Sequence, residues 1–185
     1  MNNDYFATKI TEEEKATAIT DKFGAKYTAD GLKLIRVPEN LRTYHIQEGT
    51  KMIADEAFYG CSLLKSVIIP DSVESIGAWA FAECCRLRSI IIPESVRDIG
   101  RNAFLGCEEL GSIVILSLLV IIDDDVCLEC ESLHDIVAPD PVCCQLARQL
   151  GPQSKEITWH LIEDNEPQYQ IKNNLSIPKV IPLTR

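Results

Sequence analysis

The sequence lacks a long hydrophobic run, and it carries few basic residues relative to acidic ones. Its longest apolar stretch, Ile113–Ile122, is ten residues long and is interrupted by Ser117. A bilayer-spanning helix needs about 20 apolar residues, so no membrane insertion is expected. Lys and Arg number 18 against 28 Asp and Glu, which gives a net charge of -10. Such a surface repels phosphate backbones, so we expect no nucleic-acid partner.

Signals for secretion and for catalysis are also missing. The N-terminus has no basic region followed by an apolar stretch, so no secretory signal is visible, and the sequence by itself predicts a cytoplasmic protein. It contains no nucleotide-binding glycine loop and no Ser/His/Asp order, and the histidines His45, His134 and His160 are scattered. We therefore predict no catalytic residue and no cofactor.

What the sequence does contain is a repeat of 23 residues. Cys61 is followed at this spacing by Cys84, Cys107 and Cys130. Agreement at many positions over four steps excludes chance, and a degenerate earlier copy contains Leu41 and Ile53. The apolar columns at this spacing are Phe58, Phe81, Phe104 and Cys127; Leu64, Leu87, Leu110 and Leu133; Val67, Ile90, Ile113 and Ile136; Ile69, Ile92, Ile115 and Ala138; and Val73, Val96 and Leu119.

Each repeat reads as one coil of a solenoid. The pattern Leu-x-x-Val-x-Ile ends in period-two alternation, which indicates a strand with one buried face. Pro70 and Pro93 end that strand, and a second short extended segment turns at Gly77 and Gly100. A compact segment, predicted as one helical turn, completes the coil. Because one coil cannot bury its own apolar face, the coils are expected to stack with strands about 4.8 Å apart.

The segment from Phe58 to Phe81 closely resembles the BspA-like class of leucine-rich repeat, and the copy from Cys84 to Phe104 resembles it equally well. The resemblance covers about residues 27–150. It implies an α/β repeat protein: a right-handed, strand-dominated leucine-rich-repeat solenoid. It also implies an adhesion or host-binding context on bacterial and protist surfaces, with no catalytic residues to transfer. Location therefore stays open between the cytoplasm, from the sequence, and the cell surface or secretion, from the resemblance.

Cap elements are predicted at both ends of the repeats. They are a helix over 11–23 that starts with a capping box at Thr11 and ends at Gly24, a β-hairpin turning at Asp30-Gly31, a helix over 142–150, and a closing strand over 156–162. The domain boundaries predicted from these signals are 1–40 for the N-terminal helix and hairpin cap, 41–139 for the repeats, and 140–185 for the C-terminal cap and tail.

The fourth copy departs from the pattern and gathers possible metal ligands. Gly is replaced by Asp123 and Phe by Cys127, which predicts a local distortion. Cys127-x-x-Cys130 together with Cys143-Cys144 partly resembles a zinc site, and the acidic run 123–125 could bind calcium. An interpretation without a metal is favoured for both, because ladder cysteines behave as small buried hydrophobes and acidic runs are usually solvated. We predict no metal.

A stripe of outward residues forms the candidate site. Because Val67 and Ile69 point inward, Ile68 must point outward on the concave strand face. The candidate partner-binding residues are Ile68, Ile91, Val114 and Val137, with Lys65, Arg88, His134 and His45 beside them. The leading hypothesis is a non-enzymatic module that binds a protein or glycan through this face. The alternatives are β-branched residues chosen only for strand propensity, a homodimer through the same face, and, ranked below these, a metal-binding protein at the fourth repeat.

Overall fold

The computed structural model describes residues 8–150 and 156–162 of the chain. They form a strand-dominated solenoid of about five turns. Neither helix in this part of the chain is long and apolar enough to cross a membrane. The elements are α1 Glu12–Ala16, β1 Ile19–Thr20, β2 Lys26–Tyr27, β3 Lys33–Arg36, β4 Thr43–His45, β5 Met52–Ile53, β6 Ser66–Ile68, β7 Ser75–Ile76, β8 Ser89–Ile92, β9 Asp98–Ile99, β10 Ser112–Ile115, β11 Ile121–Ile122, β12 Asp135–Ala138, α2 Asp140–Leu150 and β13 Thr158–Leu161.

Each coil contributes one strand to each of two parallel stacks. The longer strands build the first stack, as a pair β4-β6 beside a four-stranded sheet in the order β8-β10-β12-β13. Arg88 N donates to Lys65 O at 3.4 Å between β6 and β8. The shorter strands extend the N-terminal hairpins in the order β1-β2-β3-β5-β7-β9-β11. Between successive repeats, register partners lie 23 residues apart, as in Ile76↔Ile99, which confirms the predicted stacking.

Equivalent apolar side chains form continuous columns between the two stacks. Phe58, Phe81 and Phe104 are buried, with ring centroids 4.6 and 5.4 Å apart and nearly parallel planes. The ladder cysteines are buried beside them. Burying each large side chain contributes roughly 1.5–3 kcal/mol, so the fold is stabilised mainly by contacts between neighbouring coils.

The third side of each coil is a turn rather than the predicted helical turn. In place of bonds inside a helix, alternate backbone N–H groups donate to carbonyl oxygens of the next coil. Glu56, Phe58 and Gly60 donate to Ala78, Ala80 and Ala82 at 3.0, 2.7 and 2.9 Å. The following two coil pairs repeat this pattern, so we call residues 54–61 and their equivalents the turn face. These bonds make the turn face a third inter-coil ladder.

The N-terminal helix is much shorter than predicted. The capping box at Thr11 and Glu14 is present, but α1 ends at Ala16. The expectation of a helix reaching residue 23 is wrong because Ile19 and Thr20 form strand β1, paired with β2, and Asp21 begins a turn. Its carboxylate accepts hydrogen bonds from Phe23 N and Ala25 N, and Gly24 has a φ of 87°. Such local side-chain bonds compete with helix propagation.

The N-terminal segment is tied to the solenoid by a partly buried ion pair. Lys33 Nζ lies 2.8 Å from Glu14 Oε1 and donates to Lys9 O at 3.0 Å. The hairpin predicted at Asp30-Gly31 is confirmed, since β2 and β3 pair antiparallel around it. Together these contacts hold the cap over the first coil.

The C-terminal cap follows the prediction. Helix α2 covers the predicted helix, starting two residues earlier, and β13 pairs parallel with β12. Gln145 Nε2 donates to Ile122 O at 2.7 Å, and Gln149 Nε2 donates to Asp123 O at 2.7 Å. These amides replace the donors that another coil would supply to the end of the short-strand stack. The predicted tail from Asn165 onward lies outside the described residues.

The fourth coil is distorted, as expected, but its core residue is not the one predicted. Leu119 is 73% exposed and Val120 is buried in its place. In regular coils Val73 N donates to Pro70 O and Val96 N to Pro93 O. Leu116 replaces that proline, whose ring would preset the turn, and the chain reaches β11 by a different route. The register of β11 on β9 is nevertheless retained.

Candidate interaction surface

The outward residues of the longer strands lie in register across the concave strand face. His45 pairs with Ile68, Ile91 pairs with Val114, and Val114 pairs with Val137. The strand parity read from the sequence thus places five predicted residues in one column, which we call the apolar column.

Exposure falls along this column from Ile68 to Val137. Ile68 is 54% exposed and Ile91 is 40% exposed, while Val114 is half-buried. The prediction that Val137 is an accessible contact residue is wrong, because it is only 2% exposed. Strand β13 adds His160 next to it, and His160 Nε2 reaches back to Asp135 Oδ1 at 2.9 Å. The ring therefore shields Val137 at this end of the face.

A column of small polar residues runs beside the apolar column. Ser89 pairs with Ser112, Ser112 pairs with Asp135, and Thr43 pairs with Ser66. Residues two apart in a strand share a face, so these hydroxyls point the same way as the isoleucines. The face can therefore offer hydrogen bonds next to an apolar surface.

Basic residues stand immediately before the strands. Lys65, Arg88 and His134 were expected beside the stripe, and the structure places each just ahead of β6, β8 or β12. Arg88 Nε forms an exposed ion pair with Glu109 Oε2 at 3.3 Å, and His134 Nδ1 lies 2.7 Å from Ser132 O. Arg42 precedes β4 at the same position and was missed, although the 23-residue spacing could have found it.

Acidic residues follow the strands at the opposite edge. Glu48, Asp71 and Glu94 are exposed and recur at the repeat spacing. They were not among the predicted residues, although their 23-residue spacing is visible in the sequence. The concave strand face thus has a basic edge, an apolar and hydroxyl centre, and an acidic edge.

Most of the cysteine thiols are held inside the coils. None of the eight forms a disulfide within the described residues, Cys85 is half-buried and Cys144 is exposed. Burial raises the pKa of Cys61 to about 11 and that of Cys143 to about 12, and burial also raises the pKa of Cys84 and Cys107. A hydrogen bond to Cys130 and then burial raise the pKa of the Cys127 thiol. Such thiols resist ionisation, so they are poor nucleophiles and poor metal ligands.

The suspected zinc ligands do not converge. In the described part of the chain, no three His, Cys, Asp or Glu side chains are grouped so that they could hold a metal ion. Cys130 Sγ donates to Phe104 O at 3.1 Å, and Cys143 Sγ donates to Ala138 O at 3.4 Å. Both thiols are thus hydrogen-bonded to backbone carbonyl groups.

Solved structures with the same fold are bacterial leucine-rich repeat proteins. A leucine-rich repeat protein from Eubacterium ventriosum superposes with a TM-score of 0.65 at 16% identity, covering 79% of this chain and 40% of its own. A leucine-rich repeat protein from Bacteroides ovatus gives 0.54 at 27% identity, covering 67% and 37%. A leucine rich cell surface protein from Faecalibacterium prausnitzii gives 0.52 at 25% identity, covering 65% and 39%.

The chain spans about two fifths of the length of these structures. No curated protein matches it. The family description "BspA type Leucine rich repeat region" matches residues 37–143 in six copies, which is more than half of the chain. The repeat spacing, the stacked columns and this match agree: the chain belongs to the BspA-type leucine-rich repeat family.

Proposed function

We propose that this chain is a non-enzymatic, adhesion-like interaction module that binds a protein through its concave strand face. The observation that carries the proposal is the exposed pair Ile68 and Ile91 at the centre of that face. Clustered apolar residues rimmed by polar ones are typical of interaction sites. The members of the family and the proteins in the solved structures are repeat proteins, and the Faecalibacterium protein is described as a cell surface protein. Both observations support this role.

Strand propensity alone is a weaker explanation of the isoleucines. The outward positions of the shorter strands β7 and β9 contain Ser75 and Asp98. Like the longer strands, these shorter strands are pleated and lie between parallel neighbours, and their outward positions tolerate polar residues. Isoleucine is therefore not required for a coil to form, and its recurrence at Ile68 and Ile91 supports a contact.

The chemistry of the face favours a protein over a glycan. Aliphatic side chains cannot satisfy sugar hydroxyls, and burying a hydroxyl without a hydrogen bond is unfavourable. The apolar column instead suits an apolar ridge on a protein, with the basic and acidic edges selecting its orientation. The neighbouring Ser66 and Ser89 add polar contacts at the rim of that ridge.

A homodimer through the same face is the second candidate. If two copies face each other with a two-fold axis along the stack, strand starts oppose strand ends. Lys65 and Arg88 of one copy would then oppose acidic residues such as Asp71 and Glu94 of the other. This charge arrangement favours self-association as an isologous contact.

Capture experiments with two matched double variants test the proposal. The first is Ile68→Thr with Ile91→Thr, and the control is Leu119→Thr with Ile121→Thr, which removes two exposed apolar side chains elsewhere. Circular dichroism and urea unfolding should show that both are folded. Proteins bound by the wild type and by the control should be lost from the concave-face variant.

Two further measurements separate the alternatives. Light scattering that shows a wild-type dimer, and a monomer only for the concave-face variant, would support the homodimer. Binding to a glycan array that survives in the concave-face variant would contradict the proposed site. Equal protein capture by all three chains would overturn the proposal.

A further inference from the structure

The turn face is closed at its N-terminal end. Val37 N donates to Ala57 O at 2.8 Å, and the Arg36 guanidinium donates to Glu56 O at 2.7 Å and Tyr59 O at 3.0 Å. The carbonyl groups of the first coil therefore have donors although no complete coil precedes them.

Between the coils the ladder is regular. Trp79, Phe81 and Glu83 donate to the third coil at 3.0, 2.8 and 2.8 Å. Asn102, Phe104 and Gly106 donate to the fourth coil at 3.2, 2.9 and 3.0 Å. Every internal coil thus uses three alternate N–H groups to hold its neighbour.

At the C-terminal end the same three donors have no acceptor among the described residues. They are the N–H groups of Asp125, Cys127 and Glu129, and no hydrogen bond from them is made within residues 8–150 and 156–162. Asp125 and Glu129 keep the left-handed backbone of the internal coils, with φ of 56° and 61°. The backbone conformation of this ladder therefore matches that of the internal coils, each of which pairs with a further segment.

The other two sides of the fourth coil are closed, which makes the open ladder specific to this place. Strand β13 completes the longer-strand sheet, and Gln145 and Gln149 cap the shorter strands. A bound carbonyl oxygen would satisfy these backbone N–H groups, of which only that of Cys127 belongs to a buried residue.

The surroundings of the open ladder define the chemistry of an occupant. Asp124, Asp125, Glu129 and Glu131 are exposed around it, and Leu128 is 49% exposed between them. Like charges disfavour a second copy at this edge, whereas lysine or arginine side chains complement it.

We infer that the open end of the turn face, formed by Asp125, Cys127 and Glu129, is a docking site for an extended basic peptide segment of a partner protein. Carbonyl oxygens of alternate peptide residues accept from the three N–H groups, as in strand addition. An apolar side chain lies on Leu128, and basic side chains lie against the surrounding carboxylates. The site is separate from the concave strand face, so either can fail without the other.

A synthetic peptide tests the assignment. The probe is a fluorescent, end-blocked peptide of about nine residues that alternates lysine and valine, with a glutamate-for-lysine peptide as its control. Fluorescence anisotropy should show saturable binding of the lysine peptide alone. In a ¹H–¹⁵N spectrum, the amides of Asp125, Cys127 and Glu129 should move downfield, while those of Ile68 and Ile91 stay in place.

Two matched variants separate the end site from general acidity. Asp125→Asn with Glu129→Gln should weaken binding of the lysine peptide about fivefold. Glu56→Gln with Glu83→Gln alters the equivalent left-handed positions of inner coils, whose N–H groups are occupied, and should leave binding unchanged. The inference would be overturned by an equal loss of binding in both variants or by the absence of an amide shift at the three donors. Light scattering that shows a second copy occupying this end would also overturn it.

Discussion

The thiol of Cys107 donates a hydrogen bond to the backbone carbonyl oxygen of Phe81 at 3.2 Å, one coil earlier. Cys84 and Cys130 make the same bond to Phe58 and Phe104, at 3.3 and 3.1 Å. The 23-residue cysteine ladder is thus a set of inter-coil bonds as well as a column of small apolar side chains. A disulfide would require these thiols to leave their acceptors.

The rate at which each thiol reacts should follow its exposure to solvent. In the native protein, Ellman's reagent should label Cys144 first and the half-buried Cys85 more slowly, because the other thiols are buried. Cys107 should react only after unfolding in urea. Mass spectrometry of the labelled peptides checks the order, and labelling of Cys107 at the rate of Cys144 would contradict the buried ladder.

Stability should decrease in alkaline solution through the buried thiols. Burial raises the pKa of Cys61 from 9.0 to about 11, so between these values the unfolded thiol ionises while the folded one stays protonated. The free energy of unfolding should therefore fall by up to about 1.4 kcal/mol per pH unit for this group, from pH 9 upward. Its contribution is fully present below pH 9.

Urea unfolding of the wild type and of Cys61→Ala between pH 8 and pH 11 isolates this effect. The variant starts less stable, because it loses a buried group, but its stability should fall less steeply above pH 9. Parallel pH dependence in the two proteins would contradict a raised pKa at Cys61.

Most of the stacking could be predicted from the sequence, because columns such as Phe58, Phe81 and Phe104 recur with constant chemistry and spacing. The ends could not be predicted as well. The apolar spacing of Ala16, Ile19 and Phe23 fits a helix, but Ile19 pairs with Tyr27 in a strand, and the Asp21 carboxylate accepts backbone hydrogen bonds in the turn that follows. Local side-chain chemistry prevails there over periodicity.

The turn face shows why the inter-coil ladder was missed. Residues 56, 79, 102 and 125, and residues 60, 83, 106 and 129, all have positive φ, yet only Gly60 and Gly106 are glycines. A left-handed backbone is usually read from glycine, so the other positions gave no signal. The burial of Val137 was equally hidden, because it depends on His160 in a strand outside the repeat.

Gly100 should be intolerant of a side chain. A Cβ atom there would lie 2.6 Å from Ala78 N and 2.8 Å from Gly77 C, both backbone atoms of the preceding coil. Gly100→Ala should therefore destabilise the protein by about 1–3 kcal/mol, since two coils must move apart. Urea unfolding measures the loss.

Gly111→Ala provides the control, because its Cβ would meet only the movable His134 ring closely, at 2.7 Å from Cε1. Its cost should be smaller than that of Gly100→Ala. Equal stability of the two variants would contradict tight backbone packing at the Gly77 and Gly100 corner.

Binding through the concave strand face is tested most directly by calorimetric titration of a protein captured by the wild type. The dissociation constant should rise more than about tenfold for Ile68→Thr with Ile91→Thr, because central apolar contacts dominate binding energy. It should be unchanged for Leu119→Thr with Ile121→Thr. Wild-type affinity in the Ile68/Ile91 variant would contradict the account.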